Sequence, residues 1–393
     1  MRRLLFLACA VVFLDVTFFS VLTPLLPTFR EDHDLTEGAA GVLAGSFAAG
    51  TLIMALPGGW LAARIGPRRT VITGLAGIGV FSPLFGFADH IVLLDVTRFF
   101  QGASGALMWA GAMSWVISAA PRTRRGEVIG TVIAAAVVGE LLGAPMGALA
   151  HAVGTEIVFG MVFVFAALLI SLAVTIPDAA EAAGQPLGDA IARLRRSSVP
   201  RSALILAGPS IAFGLVVVVA PLRMDDLGAG PLVIAAAFAT GSLIEAVVGP
   251  VIGRVSDRKG RTLPYLIGIG ASAVAVLGLG IAGLVPLLYG AVVLAAFGAG
   301  MSFTPASARL TEAATSAGVN QGYASGASNV AWGGGQMIGA IAGGLIAGMS
   351  GYLLPCVLTV AVLAAVAQVA RATPEPKIEA HMDTETLTEG EAG

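Results

Sequence analysis

The sequence predicts an all-α membrane protein of twelve transmembrane helices in two pseudo-symmetric six-helix bundles. Three observations predict it. Apolar runs of span length recur twelve times, arginines fall in alternate loops, and one glycine pattern occurs twice at a constant offset. Of the 393 residues, 56% are hydrophobic and 12% charged. A soluble domain is about 25% charged. Crossing a hydrocarbon layer about 30 Å thick takes about 20 apolar residues as a helix. A membrane barrel would alternate lipid-facing and lumen-facing residues, and these runs do not alternate.

The runs place spans near residues 4–29, 39–63, 70–88, 91–119, 126–153 and 155–176, then near 201–223, 230–253, 262–282, 284–308, 319–348 and 350–370. Residues 1–176 are thus an N-terminal bundle and 201–370 a C-terminal one, joined by a cytoplasmic linker, 177–200. In the linker, Leu187–Arg196 reads as a short basic amphipathic helix on the membrane surface. Residues 371–393 are acidic, rich in Thr, Glu and Pro, and read as a disordered cytoplasmic tail. The first 15 residues outline a secretion signal, with Arg2, Arg3 and Cys9, but the apolar run continues to Phe29 as a full span.

Positive charge collects in cytoplasmic loops. With both termini cytoplasmic, the inner segments hold Arg64, Arg68, Arg69, Arg122, Arg124, Arg125, Arg254, Arg258, Lys259 and Arg261, among others. The outer loops hold only Arg30 and Arg223. A wrong span count would scramble this alternation. The repeat is carried by Gly126, Gly130, Gly139, Gly143 and Gly147, which match Gly322, Gly326, Gly335, Gly339 and Gly343 in the fifth and eleventh spans. Glycines four apart make a smooth helix face that a neighbouring helix can approach closely.

Charges inside spans are the sharper functional signal. A carboxylate at a helix centre costs about 2.5–3.5 kcal/mol on insertion scales, so it faces a cavity or a partner. Asp15, Arg98, Glu140 and Glu245 qualify. Arg98 shares a helix face with Gln101, Gly102, Gly105 and Trp109. Each has a bland reading beside a role in a cavity: Asp15 and Arg98 as a structural ion pair, Glu140 and Glu245 as polar partners between the halves. Asp225 and Asp226, at a span end, read as solvated. Trp60, Trp109, Trp115 and Trp332 line a pocket, anchor at an interface or pack. Cys9 and Cys356 lie in apolar runs, and the four histidines show no zinc spacing, so neither a disulfide nor a metal site is expected.

The loop after the second span reads Gly59-Trp-Leu-Ala-Ala63-Arg64-Ile-Gly66-Pro-Arg68-Arg69, and that after the eighth reads Gly253-Arg-Val-Ser-Asp257-Arg258-Lys259-Gly260-Arg261. Both resemble the Gly-x-x-x-Asp-Arg-x-Gly-Arg-Arg signature of the major facilitator superfamily. The first copy departs from it, with Ala63 where the family has Asp. Arg98-Phe-Phe-Gln101-Gly102 resembles that family's Arg-x-x-Gln-Gly motif, and Gly130, Gly139, Gly143, Pro145 and Gly147 are similar to the glycine-proline motif of its proton-coupled exporters. Asp15 with Pro24 and Pro27 resembles the first span of the twelve-span drug:proton antiporters.

The resemblance implies a monomeric secondary transporter in a bacterial inner membrane, exporting a small amphipathic compound against entering protons by alternating access. Asp15, Arg98, Gln101, Trp109, Glu140 and Glu245 would then form the proton-coupling or substrate cavity. Gly59, Arg64, Gly66, Arg68, Gly253, Asp257, Arg258, Gly260 and Arg261 would form the conformational switch, and Gly139, Gly143, Pro145 and Gly147 the helix packing. Because Ala63 has lost the carboxylate, the resemblance places the lock on Asp257, against the start of the fifth span. A nutrient importer on the same fold is the alternative. No Gly-x-x-x-x-Gly-Lys-Ser/Thr motif is present, and no nucleophile–base set suggests an enzyme, so no cofactor and no nucleic-acid partner are expected.

Overall fold

The computed structural model describes residues 1–121, 124–178, 185–319 and 321–373. Among them, twelve helical spans are long and apolar enough to cross a membrane. The first span is broken into α1 (Arg2–Ser20) and α2 (Leu22–Asp32). The break has a covalent cause. Pro24 cannot donate to the Ser20 carbonyl, nor Pro27 to that of Thr23, and each ring crowds the carbonyl it fails to satisfy. The rest of the half is α3 (Glu37–Ile65), α4 (Pro67–Gly86), α5 (Ile91–Ala119), α6 (Arg125–Val153) and α7 (Thr155–Thr175). The linker carries α8 (Leu187–Arg196), with the bounds the sequence predicts, and it buries Ala190 and Leu194. The second half is α9 (Val199–Asp226), α10 (Pro231–Lys259), α11 (Thr262–Ile281), α12 (Val285–Ser316), α13 (Gln321–Ser350) and α14 (Leu353–Ala372). The α12 helix runs eight residues beyond its predicted end at 308, because a helix need not stop where the hydrocarbon does. The tail call for 371–393 falls, from residue 374 on, outside the described residues.

Two apolar clusters are buried, one around Leu25, Leu43, Leu75 and Phe159 that Val217, Val218, Leu222 and Ala340 join from the second half, the other around Leu215, Tyr265, Leu279 and Leu363. Large apolar side chains such as Leu168, Leu232, Leu263 and Val274 stay exposed, as a lipid-facing surface requires.

The repeated glycines make matching contacts. A Cβ on Gly139 would lie 2.7 Å from the Phe13 carbonyl oxygen on α1, and one on Gly335 would lie 2.7 Å from the Ala207 carbonyl oxygen on α9. Gly143 meets the Thr17 carbonyl as Gly339 meets that of Ile211. Pro145 does not belong to this stripe. It is exposed and lines a lipid-facing groove, because two residues from Gly143 is about 200° around a helix.

The loop motif also repeats in geometry. Gly66 ends α3 at φ 89°, ψ 150°, and Gly260 ends α10 at φ 94°, ψ 155°. Few side chains tolerate that backbone, which accounts for glycine at this place in both copies. In the first copy, the Asp178 carboxylate, from beyond α7, accepts from the Arg68 backbone N–H at 3.2 Å and lies 3.7 Å from the Arg68 guanidinium. A carboxylate at the N-terminus of α4 is favourable. Asp178 therefore serves this loop, although Ala63 carries no charge. In the second copy, Arg261 forms a bidentate pair with Glu312 of α12. The Asp257 side chain lies outside the described residues.

Candidate functional site

A cavity of about 290 Å³ opens between the halves. Its lining residues come from α1, α3, α5 and α6 on one side and α9, α10, α12 and α13 on the other. Three carboxylates face it: Asp15 on α1, Glu140 on α6 and Glu245 on α10. So do six aromatic rings, Phe19, Phe47, Trp109, Phe213, Phe303 and Trp332. The sequence pointed to the carboxylates, to Trp109 and, as one of three readings, to Trp332. It gave no signal for Phe47, Phe213 and Phe303, since which face of an apolar helix turns inward depends on packing.

Asp15 is 4% exposed. The Trp109 indole N–H donates to its Oδ2 at 3.0 Å, while Oδ1 has no hydrogen-bond partner. The carboxylate lies directly over Gly105, whose missing side chain leaves the room. The spacing of Gly105 and Trp109, one turn apart on α5, thus holds Asp15 from below and from the side.

Arg98 and Gln101 do not line this cavity, contrary to expectation. Arg98, 1% exposed, is turned behind its wall. Its Nη1 donates to the Phe18 carbonyl at 3.0 Å and its Nη2 to the Phe19 carbonyl at 3.0 Å, the two carbonyls just before the break in the first span. Nη1 also donates to Gln101 Oε1 at 2.8 Å, and Gln101 Nε2 to Ser82 Oγ at 3.3 Å. Phe47 and Phe85 present ring faces to the guanidinium at 4.9 and 5.7 Å. The Arg-x-x-Gln spacing is explained by this: the next-turn amide aims the fork at the broken helix. Helical spacing put Arg98 near Asp15, but a guanidinium is long enough to choose the carbonyls beyond it. The positive charge of Arg98 still acts on Asp15.

Glu140 and Glu245 come from different halves, and the negative charge of Glu140 acts on Glu245. Both also line a smaller pocket of about 30 Å³ that runs on among α9, α10, α11 and α12. They stand at its mouth.

The cavity is stopped at the end remote from the arginine-rich loops. Phe19 packs against Phe213 and Trp332 of the other half, with ring centroids 6.4 and 5.6 Å apart. Beyond them, Arg30 of α2 reaches Asp226 at 2.7 Å and Asp225 at 3.3 Å on α9. The Tyr352 hydroxyl donates to Asp226. Asp225 and Asp226 are therefore not simply solvated, as their place at a span end suggested.

Comparisons with known proteins agree with this architecture. The family model described as the Major Facilitator Superfamily matches residues 8–209 and 202–387. An MFS-type transporter, ppzB of Metarhizium rileyi, is 30% identical over 128 residues, 31% of this chain and 26% of that protein. The quinolone resistance protein NorA of Staphylococcus aureus is 24% identical over 130 residues, 33% of this chain and 34% of that one. The match thus spans about a quarter to a third of these curated relatives. The human organic anion transporter MFSD10 superposes with a TM-score of 0.73 at 15% identity, over 94% of this chain and 99% of that one. With the motifs, the twelve spans and a family model that covers nearly the whole sequence, the chain belongs to the Major Facilitator Superfamily and is a multi-pass membrane transporter, not an enzyme.

Proposed function

We propose that the chain exports a small amphipathic compound in exchange for entering protons, by alternating access across a bacterial inner membrane. The observation that carries this reading is the cavity between the halves, which aromatic rings and three carboxylates line together. Rings would hold the body of an amphipathic solute, and carboxylates can take up and release a proton. The resistance protein among the partial relatives is consistent with export. The arginine-rich loops would face the cytoplasm, with both termini, and the chain would work as a monomer. The stopped end is then the outer gate. Arg98 and Gln101 would support the coupling site by fixing the broken first span against it, and Asp15 would be a proton carrier within it. On this reading the two loop motifs are the switch: Gly66 and Gly260 set its turns, and Asp257 locks it against the start of α6.

Direction decides between export and the importer alternative. Everted vesicles acidified inside should accumulate an amphipathic dye such as ethidium, and vesicles lacking the protein should not. Accumulation only in right-side-out vesicles would overturn the export reading. Asp15→Asn should reduce proton-driven uptake at least ten-fold while folded protein, read by size-exclusion chromatography, falls less than two-fold. Equal losses of both would make Asp15 a structural residue.

A further inference from the structure

The aromatic lining of the cavity divides in two. Five of its six rings interlock: Phe19 meets Phe47, Phe213 and Trp332 at centroid distances of 5.1, 6.4 and 5.6 Å, and Phe213 meets Phe303 at 6.5 Å. Trp109 stands apart. Its half-buried indole leans on the first apolar cluster. Among the described residues it pairs with no other ring, and its one hydrogen bond is the N–H to Asp15 Oδ2 at 3.0 Å. The dependence is mutual. That N–H is the one hydrogen bond Asp15 accepts among the described residues, for Oδ1 lies over Gly105 without a partner.

A hydrogen bond to an ionised acceptor is roughly twice as strong as one between neutral groups. Ionised Asp15 therefore pins the indole, and a proton on the carboxyl weakens that hold. We propose that Trp109 is a positioning residue that makes proton and solute exclude one another. While Asp15 is ionised, the ring is held to the wall and the cavity is open. When Asp15 takes a proton, the ring swings into the space that the apolar body of a solute would fill. Proton and solute then compete without sharing an atom, and each lowers the affinity of the other by the same factor. The proposal rests on the transport reading above, in which Asp15 carries the proton. It adds the side chain that converts the charge state of Asp15 into access to the cavity.

Other charges surround Asp15. Its helix packs against α2, α5, α6 and α7. Arg98 of α5 stands behind the carboxylate and acts on it. Glu140 of α6 lines the same cavity, as does Glu245 of α10 from the other half. Arg30, Glu31 and Asp32 lie at the far end of α2, and Glu156 at the start of α7. These charges bear on the pH at which Asp15 titrates. Among the described residues only Trp109 is bonded to it, so the indole reports that event directly.

The experiment reads the ring itself. Acrylamide, a neutral quencher, is titrated against the tryptophan fluorescence of the purified full chain in nanodiscs, across the pH range in which the fold persists. The trace of the same chain bearing Trp109→Phe is subtracted at each pH. Quenching of Trp109 should rise at least two-fold from the alkaline to the acid end. Asp15→Asn, uncharged throughout, should hold it near the acid-end value at every pH. Glu140→Gln and Glu245→Gln should each keep a step. In vesicles, the stimulation of ethidium uptake by an imposed proton gradient should fall at least five-fold in Trp109→Phe, which keeps a ring but offers no N–H. A residue that only packs would leave that ratio unchanged. Size exclusion checks that each variant folds. Should Trp109→Phe not fold, the parent against Asp15→Asn still decides, because the other indoles are engaged elsewhere: Trp60 with Arg64, Trp115 with the Pro177 carbonyl and Trp332 with Phe19. Quenching that is flat with pH in the parent would overturn the proposal. So would a step that survives in Asp15→Asn, or full proton stimulation in Trp109→Phe. The quenching step needs neither substrate nor a direction of transport, so it stands or falls apart from the export reading.

Discussion

Two seams join the halves, and the pseudo-symmetry relates one to the other: α3 with α13, and α6 with α10. The first is closed along its length by backbone against backbone. A Cβ on Gly41 would lie 3.0 Å from the Gly344 Cα, one on Gly333 3.0 Å from the Ala48 carbonyl oxygen, one on Gly326 2.9 Å from that of Ala55, and one on Gly59 3.0 Å from that of Gly322. The second seam is loose at the same depth. Gly126 and Gly130 correspond to Gly322 and Gly326, yet no atom lies within 4 Å of where their side chains would start. Its middle is held by two carboxylates, Glu140 and Glu245, facing a cavity. The same helix positions thus make a dry, glycine-lined contact in one seam and an acidic mouth in the other. The difference teaches that the repeat fixes which helices meet, while a few side chains fix how tightly.

The most severe way to break the comparison is to overfill the tight seam. Gly41→Leu forces a side chain against backbone that cannot move aside, and overpacking costs about 1–3 kcal/mol or more. The expected result is a large loss of monodisperse protein and a lower melting midpoint. Gly130→Leu, in the loose seam, should change neither. If both variants behave alike, the two seams are equally packed and the distinction fails.

A smaller effect is expected at the stopped end. The side chains of Arg30, Asp225 and Asp226 are 18%, 21% and 37% exposed, so the cluster is only partly screened. An ion pair so placed contributes about 1 kcal/mol, about five-fold in the ratio of closed to open ends. Arg30→Ala should speed labelling of a cysteine placed at Asn329, which lines the cavity without belonging to the aromatic layer, by an impermeant maleimide added from that side, by about five-fold. The background lacks Cys9 and Cys356. An unchanged labelling rate would mean that the aromatic layer of Phe19, Phe213 and Trp332 seals this end alone.

Much of this was legible in the sequence. Span count, the two halves, the α8 bounds and the repeated glycines followed from hydropathy and spacing, because lipid leaves a helix no alternative. Asp15, Glu140 and Glu245 were legible as charges too costly to face lipid. The direction of Arg98 was not, since its partners are the Phe18 and Phe19 carbonyls beside the break in another span. Nor was the pairing of Arg30 with Asp225 and Asp226, which joins residues nearly two hundred positions apart. Ala63 was legible as a lost carboxylate, but Asp178, which serves that loop from beyond α7, was hidden because nothing local links them.

The mildest change sharpens the comparison most. Under the glycine register, Glu140 corresponds to Gln336, one residue after Gly139 and Gly335. By that register Gln336 should make the matching polar contact. It does not: Gln336 is fully buried, and no hydrogen-bond partner meets either Oε1 or Nε2. It lies at a gap of about 10 Å³ beside Phe19, Leu22, Val217 and Arg98. Glu140, by contrast, looks into open cavity space. Removing a polar group together with its need for a partner is nearly neutral, whereas stranding one costs about 1–3 kcal/mol. Gln336→Met keeps the length and volume of the side chain, so stability should stay within about 1 kcal/mol of the parent and transport within two-fold. Glu140→Gln should likewise preserve stability, but it should flatten the pH dependence of transport, because the seam then has one group fewer that can ionise. Matching chemistry at the two positions, with neither responding to pH, would remove Glu140 from the coupling. A loss of more than about 3 kcal/mol in Gln336→Met, the range for breaking a buried charged contact, would show that this amide, and not only Gln101, holds Arg98 in place.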